Sequence, residues 1–255
     1  MCSSTEIPTN CGLFPSDIHL FGADVPVLLL GTDKLGRCVL SRIFYGARIS
    51  LSLGLVGVFF SFLFGLFLGG ISGYLGGMVD EIIQRIIDLL ISIPTIPVWM
   101  ALAAALPQDW SQLRVYLAIT LILAVLGWTT LARVVRGKIL SLREEDFTMA
   151  ARLYGSSDWR IITRHLLPAF ASYIIVQLTL AIPNMILGET ALSFLSLGLR
   201  PPTISWGVML QDAQNVMSVA QTPWLLWPCA FVIVAVLMFN FLGDGLRDAA
   251  DPYVR

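Results

Sequence analysis

Apolar residues fill this chain in long blocks separated by short polar links. Five blocks are long enough to cross a bilayer, which takes about 20 helical residues. They lie at roughly 49–74, 86–106, 115–131, 169–187 and 224–242. An earlier run, VPVLLLG at 25–31, is far too short to span. From Leu35 to Ala47, the positions Leu35, Val39, Leu40, Ile43, Phe44 and Ala47 share one helical face, with Arg37 and Arg42 elsewhere. That pattern predicts a helix lying at the membrane interface. The whole reads as an all-α polytopic membrane protein with about five transmembrane helices.

Within the spans, three features stand out. In the first, Gly57, Ser61, Gly65, Gly69, Gly73 and Gly77 recur every four residues. Such a stripe, centred on Gly65, Gly69 and Gly73, lets a neighbouring helix approach closely, and packing is favoured over a flexible gate. In the second, Pro94 and Pro97 should break or kink the helix, and kinked membrane helices can line a cavity. The third is charge. Ionisable residues in membranes mark function by default, and Asp88 and Glu189 qualify. Glu189 is placed just past the fourth span, on the outer side. Asp88, Pro94 and Glu189 are therefore candidates for a solute path, with interfacial anchoring the plainer alternative for both carboxylates.

The densest charge falls between the third and fourth blocks, in REEDFTMAARLYGSSDWRIITRHLLP, residues 143–168. Phe147, Ala150, Ala151 and Tyr154 recur at helical spacing. Gly155 interrupts that helix. Ser156 or Ser157 can cap a second one, with Asp158 at its positive end. Pro168 suits the first turn of the next helix. Two short helices with a glycine hinge thus emerge, and the paired alanines admit another backbone. The segment reads as a docking element for a soluble partner; an amphipathic loop on the lipid surface is the alternative.

Composition agrees with a membrane protein: 56% hydrophobic and 13% charged residues, against about 25% charged in soluble domains. A net charge of −1 gives no footprint for nucleic acid. Cys2, Cys11, Cys38 and Cys229 show no metal or disulfide spacing, and Cys229 reads as packing within a span. No basic region followed by an apolar core marks a secretory signal. Lys and Arg are in excess on the side carrying Arg133, Arg136, Lys138, Arg143, Arg152, Arg160 and Arg164. That side is cytoplasmic by the positive-inside rule. The docking segment and C-terminus then lie inside and the N-terminus outside.

AARLYG, nine residues, then HLLP resembles the cytoplasmic loop of bacterial ATP-binding-cassette importer permeases. That family's pattern is Glu-Ala-Ala, three residues, Gly, nine residues, Ile, any residue, Leu-Pro. Ala150, Ala151, Gly155, Leu167 and Pro168 match; Met149 stands for Glu and His165 for Ile. RHLLP is similar to the peptide/nickel branch, as are LLGTDKLGRCVLSRIFYGARISL, with Cys38 replacing Asp, and ALSFLSLGLRPPTISWGVML, with Ser196 replacing Gly. The resemblance runs from Leu30 to about Asp244 and is to the C-type subunit of dipeptide and oligopeptide permeases. It implies a type I importer permease fold of six spans, the first preceding the GTD segment and without a counterpart here. Residues 1–47 would be an extracytoplasmic segment, 48–244 the permease domain and 245–255 a cytoplasmic tail. The coupling helix that docks ATPases would involve Asp146, Ala150, Ala151, Arg152, Gly155 and Ser156. A homologous second permease, two ATPases and an extracytoplasmic binding protein are the implied partners, in the bacterial inner membrane beside lipid. ATP and Mg would be bound by the ATPases, with no cofactor or metal in this chain.

No phosphate-binding loop, HExxH motif or paired-cysteine motif is present, nor any nucleophile–base set. The chain therefore reads as a non-catalytic gate moved by its ATPases, importing peptides. Nickel or another small solute would use the same architecture. A secondary transporter or channel subunit would call for an inverted repeat or mid-membrane charges. A non-transporting receptor or scaffold would lack substrate-stimulated ATP hydrolysis.

Overall fold

The computed structural model describes residues 29–107 and 109–250. The expectations for residues 1–28, and for the last five residues of the tail, lie outside the described residues. Helices make up the fold; among the described residues the only strand-like pairing is an isolated bridge between Thr32 and Cys38.

Helix α1 (Val39–Leu75) has 37 residues and so runs about 55 Å, well beyond the ~30 Å of bilayer hydrocarbon. It absorbs both the expected interfacial helix and the first span, because nothing from Val39 to Leu75 breaks a helix. Arg42, expected off the packed face, is buried. Asp33 makes this possible: its carboxylate accepts from Arg42 and, at 2.7 Å, from Arg37 Nε. Cys38, whose spacing suggested no bridge, is disulfide-bonded. Gly76, at φ 66°, ends α1 in a backbone region that favours glycine.

The second block is a bent pair. Helix α2 (Gly77–Ser92) and helix α3 (Thr95–Ala104) meet at 85° across a break that includes Pro94. Helix α4 (Gln112–Leu142) then crosses back. It reaches further than expected and carries Arg133, Arg136 and Lys138 within itself. The docking segment holds α5 (Asp146–Leu153) and α6 (Asp158–Ile161), a π turn at Ile162–Leu166, and α7 (Leu167–Ala169). Helix α8 (Ala171–Phe194) follows, with Pro183 inside it. At the other end of the molecule α9 (Trp206–Gln211) and α10 (Val216–Gln221) form the long loop. A 3-10 turn at Pro223–Leu226 leads into α11 (Trp227–Ala250). Among the described residues four helices are long and apolar enough to span, and the bent pair makes up to five.

Helix α1 packs chiefly on α4 and α8, and α11 on α8. The glycines set the closeness. A Cβ on Gly65 would lie 2.9 Å from Leu131 Cβ, one on Gly69 2.9 Å from Ala132 Cα, and one on Gly73 2.8 Å from Arg136 O. All three neighbours belong to α4, so the stripe is a contact within this chain. The opposite side of α1 exposes Phe59, Leu63 and Phe67, as a lipid- or subunit-facing surface does. Cys229, expected to pack, is exposed. Buried side chains gather near the two ends: Ile43, Leu53, Leu123, Ile186 and Trp206 at one, Tyr74, Val135, Ile139 and Leu166 at the other.

Candidate functional site

The docking segment lies at the end of the molecule where α1 finishes and α8 begins. Asp146 opens α5 as an exposed acidic residue in the first turn, where the helix dipole favours it. Thr148 is buried and donates to Leu142 O at 2.9 Å, tying α5 back to α4. The helix stops in two bonds: Gly155 N–H to Arg152 O at 2.9 Å and Ser156 N–H to Ala151 O at 3.1 Å. This is a Schellman closure, which needs a left-handed residue at its centre; Gly155 has φ 74°. Ser157, not Ser156, stands at the N-cap of α6, and its side chain makes no capping bond.

Ala151 is buried in one apolar cluster with Ile161 and Ile162, while Ala150 is half-buried. The face turned away from the rest of the chain is different. It presents Met149 and, at 88% and 90% exposure, Leu153 and Tyr154, with Trp159 beside them. Arg152 leans inward, its guanidinium carbon 5.2 Å from the centre of the Tyr74 ring. The Tyr74 hydroxyl donates to Asp158 Oδ1 at 2.8 Å and accepts from Arg152 Nε at 3.4 Å. Behind this lies a polar layer in which Asp80 accepts from Arg136 and Ser72.

Glu189 sits at the opposite end of the molecule. It is not past the fourth span, as expected, but inside α8, and it is 0% exposed. The reason is a set of serines. Ser193 and Ser205 donate to Oε1, each at 2.8 Å, and Ser50 donates to Oε2 at 3.2 Å. Each serine oxygen in turn accepts a main-chain N–H, from Leu199, Val208 and Trp206 respectively. The carboxyl thus organises the loop before α9 against α1 and α8. Asp88 is far from this knot in kind: it is exposed on α2 and accepts from Arg133 of α4 at 2.6 Å. Pro94 caps α3 at the bend. A cavity of about 320 Å³ opens where α3 ends and α4 begins, lined by Leu106, Trp110, Ser111, Leu199 and Arg200 among others.

The model of binding-protein-dependent transport system inner membrane components matches residues 61–255. This chain belongs to that family. The permease is 39% identical over 247 residues to the dipeptide transport system permease protein DppC of Bacillus subtilis, covering 97% of this chain and 72% of the relative. It is 36% identical over 244 residues to the oligopeptide transport system permease protein OppC of the same organism, covering 94% and 77%. Among solved structures the permease is similar to the MetNI methionine ABC transporter in inward-facing conformations, with TM-score 0.65, 17% identity, and 82% and 96% coverage. That likeness supports the type I importer fold.

Sequence reasoning on this permease missed Tyr74, the three serines and the outward face of Leu153, Tyr154 and Trp159. Tyr74 and Ser50 sit inside spans, where nothing in the pattern separates a hydrogen-bonding residue from a packed one. Leu153 was legible: it lies off the Phe147–Ala151 face and is too apolar for a free helix surface.

Proposed function

We propose that this permease forms half of the translocation pathway of an ATP-driven importer of di- or oligopeptides, paired with a homologous permease. Two cytoplasmic ATPases dock on the α5–α6 element and hold the ATP and Mg; this chain carries no cofactor and does no catalysis. An extracytoplasmic binding protein delivers substrate to the end that bears α9 and α10. The docking end and the C-terminus face the cytoplasm of a bacterium, and the N-terminus faces outside. The observation that carries this reading is the apolar face of Leu153, Tyr154 and Trp159, exposed on a short, tightly anchored element at the basic end of the chain. Contiguous exposed apolar residues outside the lipid mark a protein contact. The peptide substrate rests on the likeness to the dipeptide and oligopeptide transport system permeases. Of the residues assigned to the path, Pro94 stands at the α2–α3 bend and Asp88 pairs with Arg133, while Glu189 acts by holding the outer loop.

The test is pull-down of the ATPases with the assembled permease complex, alongside ATP-dependent uptake of a labelled dipeptide such as Ala-Phe. Leu153→Asp and Tyr154→Asp remove apolar contact without disturbing packed atoms. Each should cut ATPase recovery at least tenfold, since a desolvated interface anchor contributes about 2 kcal/mol or more. Full recovery with both substitutions combined would remove this face as the docking site.

A further inference from the structure

We infer that Tyr74 is the positioning residue through which the docking element moves α1, an inference that rests on the importer reading above. The hinge is where such a part would act. Gly155 separates α5 from α6, and a Cβ placed there meets nothing within 4 Å. The two backbone bonds at Gly155 and the apolar cluster of Ala151, Ile161 and Ile162 shape the hinge, and Tyr74 adds a polar tie across it. Tyr74 touches both halves with one phenol. It belongs to the same buried cluster as Ala151 and Ile161, and its ring carries the Arg152 guanidinium on its face. Its hydroxyl donates to Asp158 on α6 and accepts from Arg152 on α5. A phenol oxygen has one proton to give and lone pairs to receive, and both are used across the hinge.

Tyr74 is also the penultimate residue of α1, two residues before Gly76. Whatever shifts the docking element therefore pulls on the end of a continuous helix. Further along that helix, Ser50 holds Glu189 and the N–H of Trp206. Motion at the ATPases thus has an unbroken route to the outer loop, entering at the Tyr74 hydroxyl. A role limited to folding would predict that its loss lowers assembly; a transmitting role predicts intact assembly with hydrolysis detached from uptake.

The experiment uses the whole complex in proteoliposomes with Ala-Phe as probe, reading uptake and ATP hydrolysis together. Tyr74→Phe keeps the buried ring and deletes the hydroxyl. Expected are normal ATPase recovery and a fall of about fivefold or more in dipeptide taken up per ATP, in line with losing a hydrogen bond to a charged group. Asp158→Ala, at an exposed position, should give the same fall, and the double substitution no more than either alone. It also carries the test if Tyr74→Phe does not assemble. Hydrogen exchange at residues 156–161 should quicken about fivefold in both variants, which reads the lock even without transport. A wild-type uptake-to-hydrolysis ratio in either assembled variant, additive effects in the double, or unchanged exchange would overturn the inference. A wild-type complex with no ATP-dependent uptake would instead overturn the importer reading.

Discussion

Asp33 and Glu189 are two carboxylates enclosed at the same end of the molecule, and they are satisfied differently. Asp33 faces two guanidinium groups. Burial works against its charge, but hydrogen bonds from Arg37 and Leu35 and the charge of Arg42 hold its carboxyl below the usual range. Since the folded pKa is depressed, the stabilisation is present above the unfolded value of about 3.9 and is lost as pH falls through the folded value. Asp33→Asn should therefore destabilise the permease at pH 7 by about 3 kcal/mol, the cost of leaving one member of an enclosed pair alone. Melting in detergent should show that gap closing as the pH drops below about 4. A gap unchanged from pH 7 to pH 3 would detach the effect from this charge. Glu189 instead accepts three hydroxyl protons. Glu189→Ala strands all three donors, so a loss of at least about 3 kcal/mol is expected. Glu189→Gln keeps an acceptor and should melt much closer to wild type; equal losses in the two variants would mean the hydrogen bonds matter little. The sequence showed Glu189 as an ionisable residue near a span end. It could not show the serines, because Ser50 and Ser205 come from distant segments and only folding brings them together.

At the scale of elements, the glycine stripe gives a sharp contrast between neighbours. A Cβ on Gly69 collides with the α4 backbone, whereas one on Gly70 meets only Ile162 and Ile139 at 3.8 and 3.9 Å. Gly69→Ala should cost about 1–3 kcal/mol by overpacking. Gly70→Ala should be neutral or stabilising, since alanine favours helix by about 1 kcal/mol. Equal melting temperatures for the two would contradict the packing seen here. The docking element yields a similar contrast. Ala151→Arg forces charge into a buried site and should unseat α5 itself, lowering stability as well as ATPase recovery. Leu153→Asp should lower recovery alone. The two short helices and the hinge were readable because Ala, Gly and Pro each have local conformational preferences. Which alanine faces inward was not readable, because α5 is only eight residues long and both alanines fit its packed side. The start of α2 was likewise missed, since Asp80 and Arg85 look like a link until Arg136 is seen to pair with Asp80.

Among the described residues, the hydrophobic blocks coincide with the four helices long and apolar enough to span and with the bent pair, and the proline pair located the break in the second. They misjudged ends. Arg42, Arg133 and Arg136 lie inside helices because partners on other segments neutralise them, and no count along one segment can anticipate that. The expected sidedness rests on the alternation of spans and the excess of basic residues, and labelling from either side of the membrane tests it. Leu153 and Val216 are 88% and 83% exposed at opposite ends of the molecule. A cysteine at either place has room for a reagent and little effect on packing. In sealed right-side-out vesicles, a membrane-impermeant maleimide should label Val216→Cys but reach Leu153→Cys only after permeabilisation. The attached ATPases should also shield Leu153→Cys, so its labelling after permeabilisation should rise when they are stripped off. Reversal of the two sites would place the docking element outside, and the proposal that cytoplasmic ATPases drive this permease would fall with it.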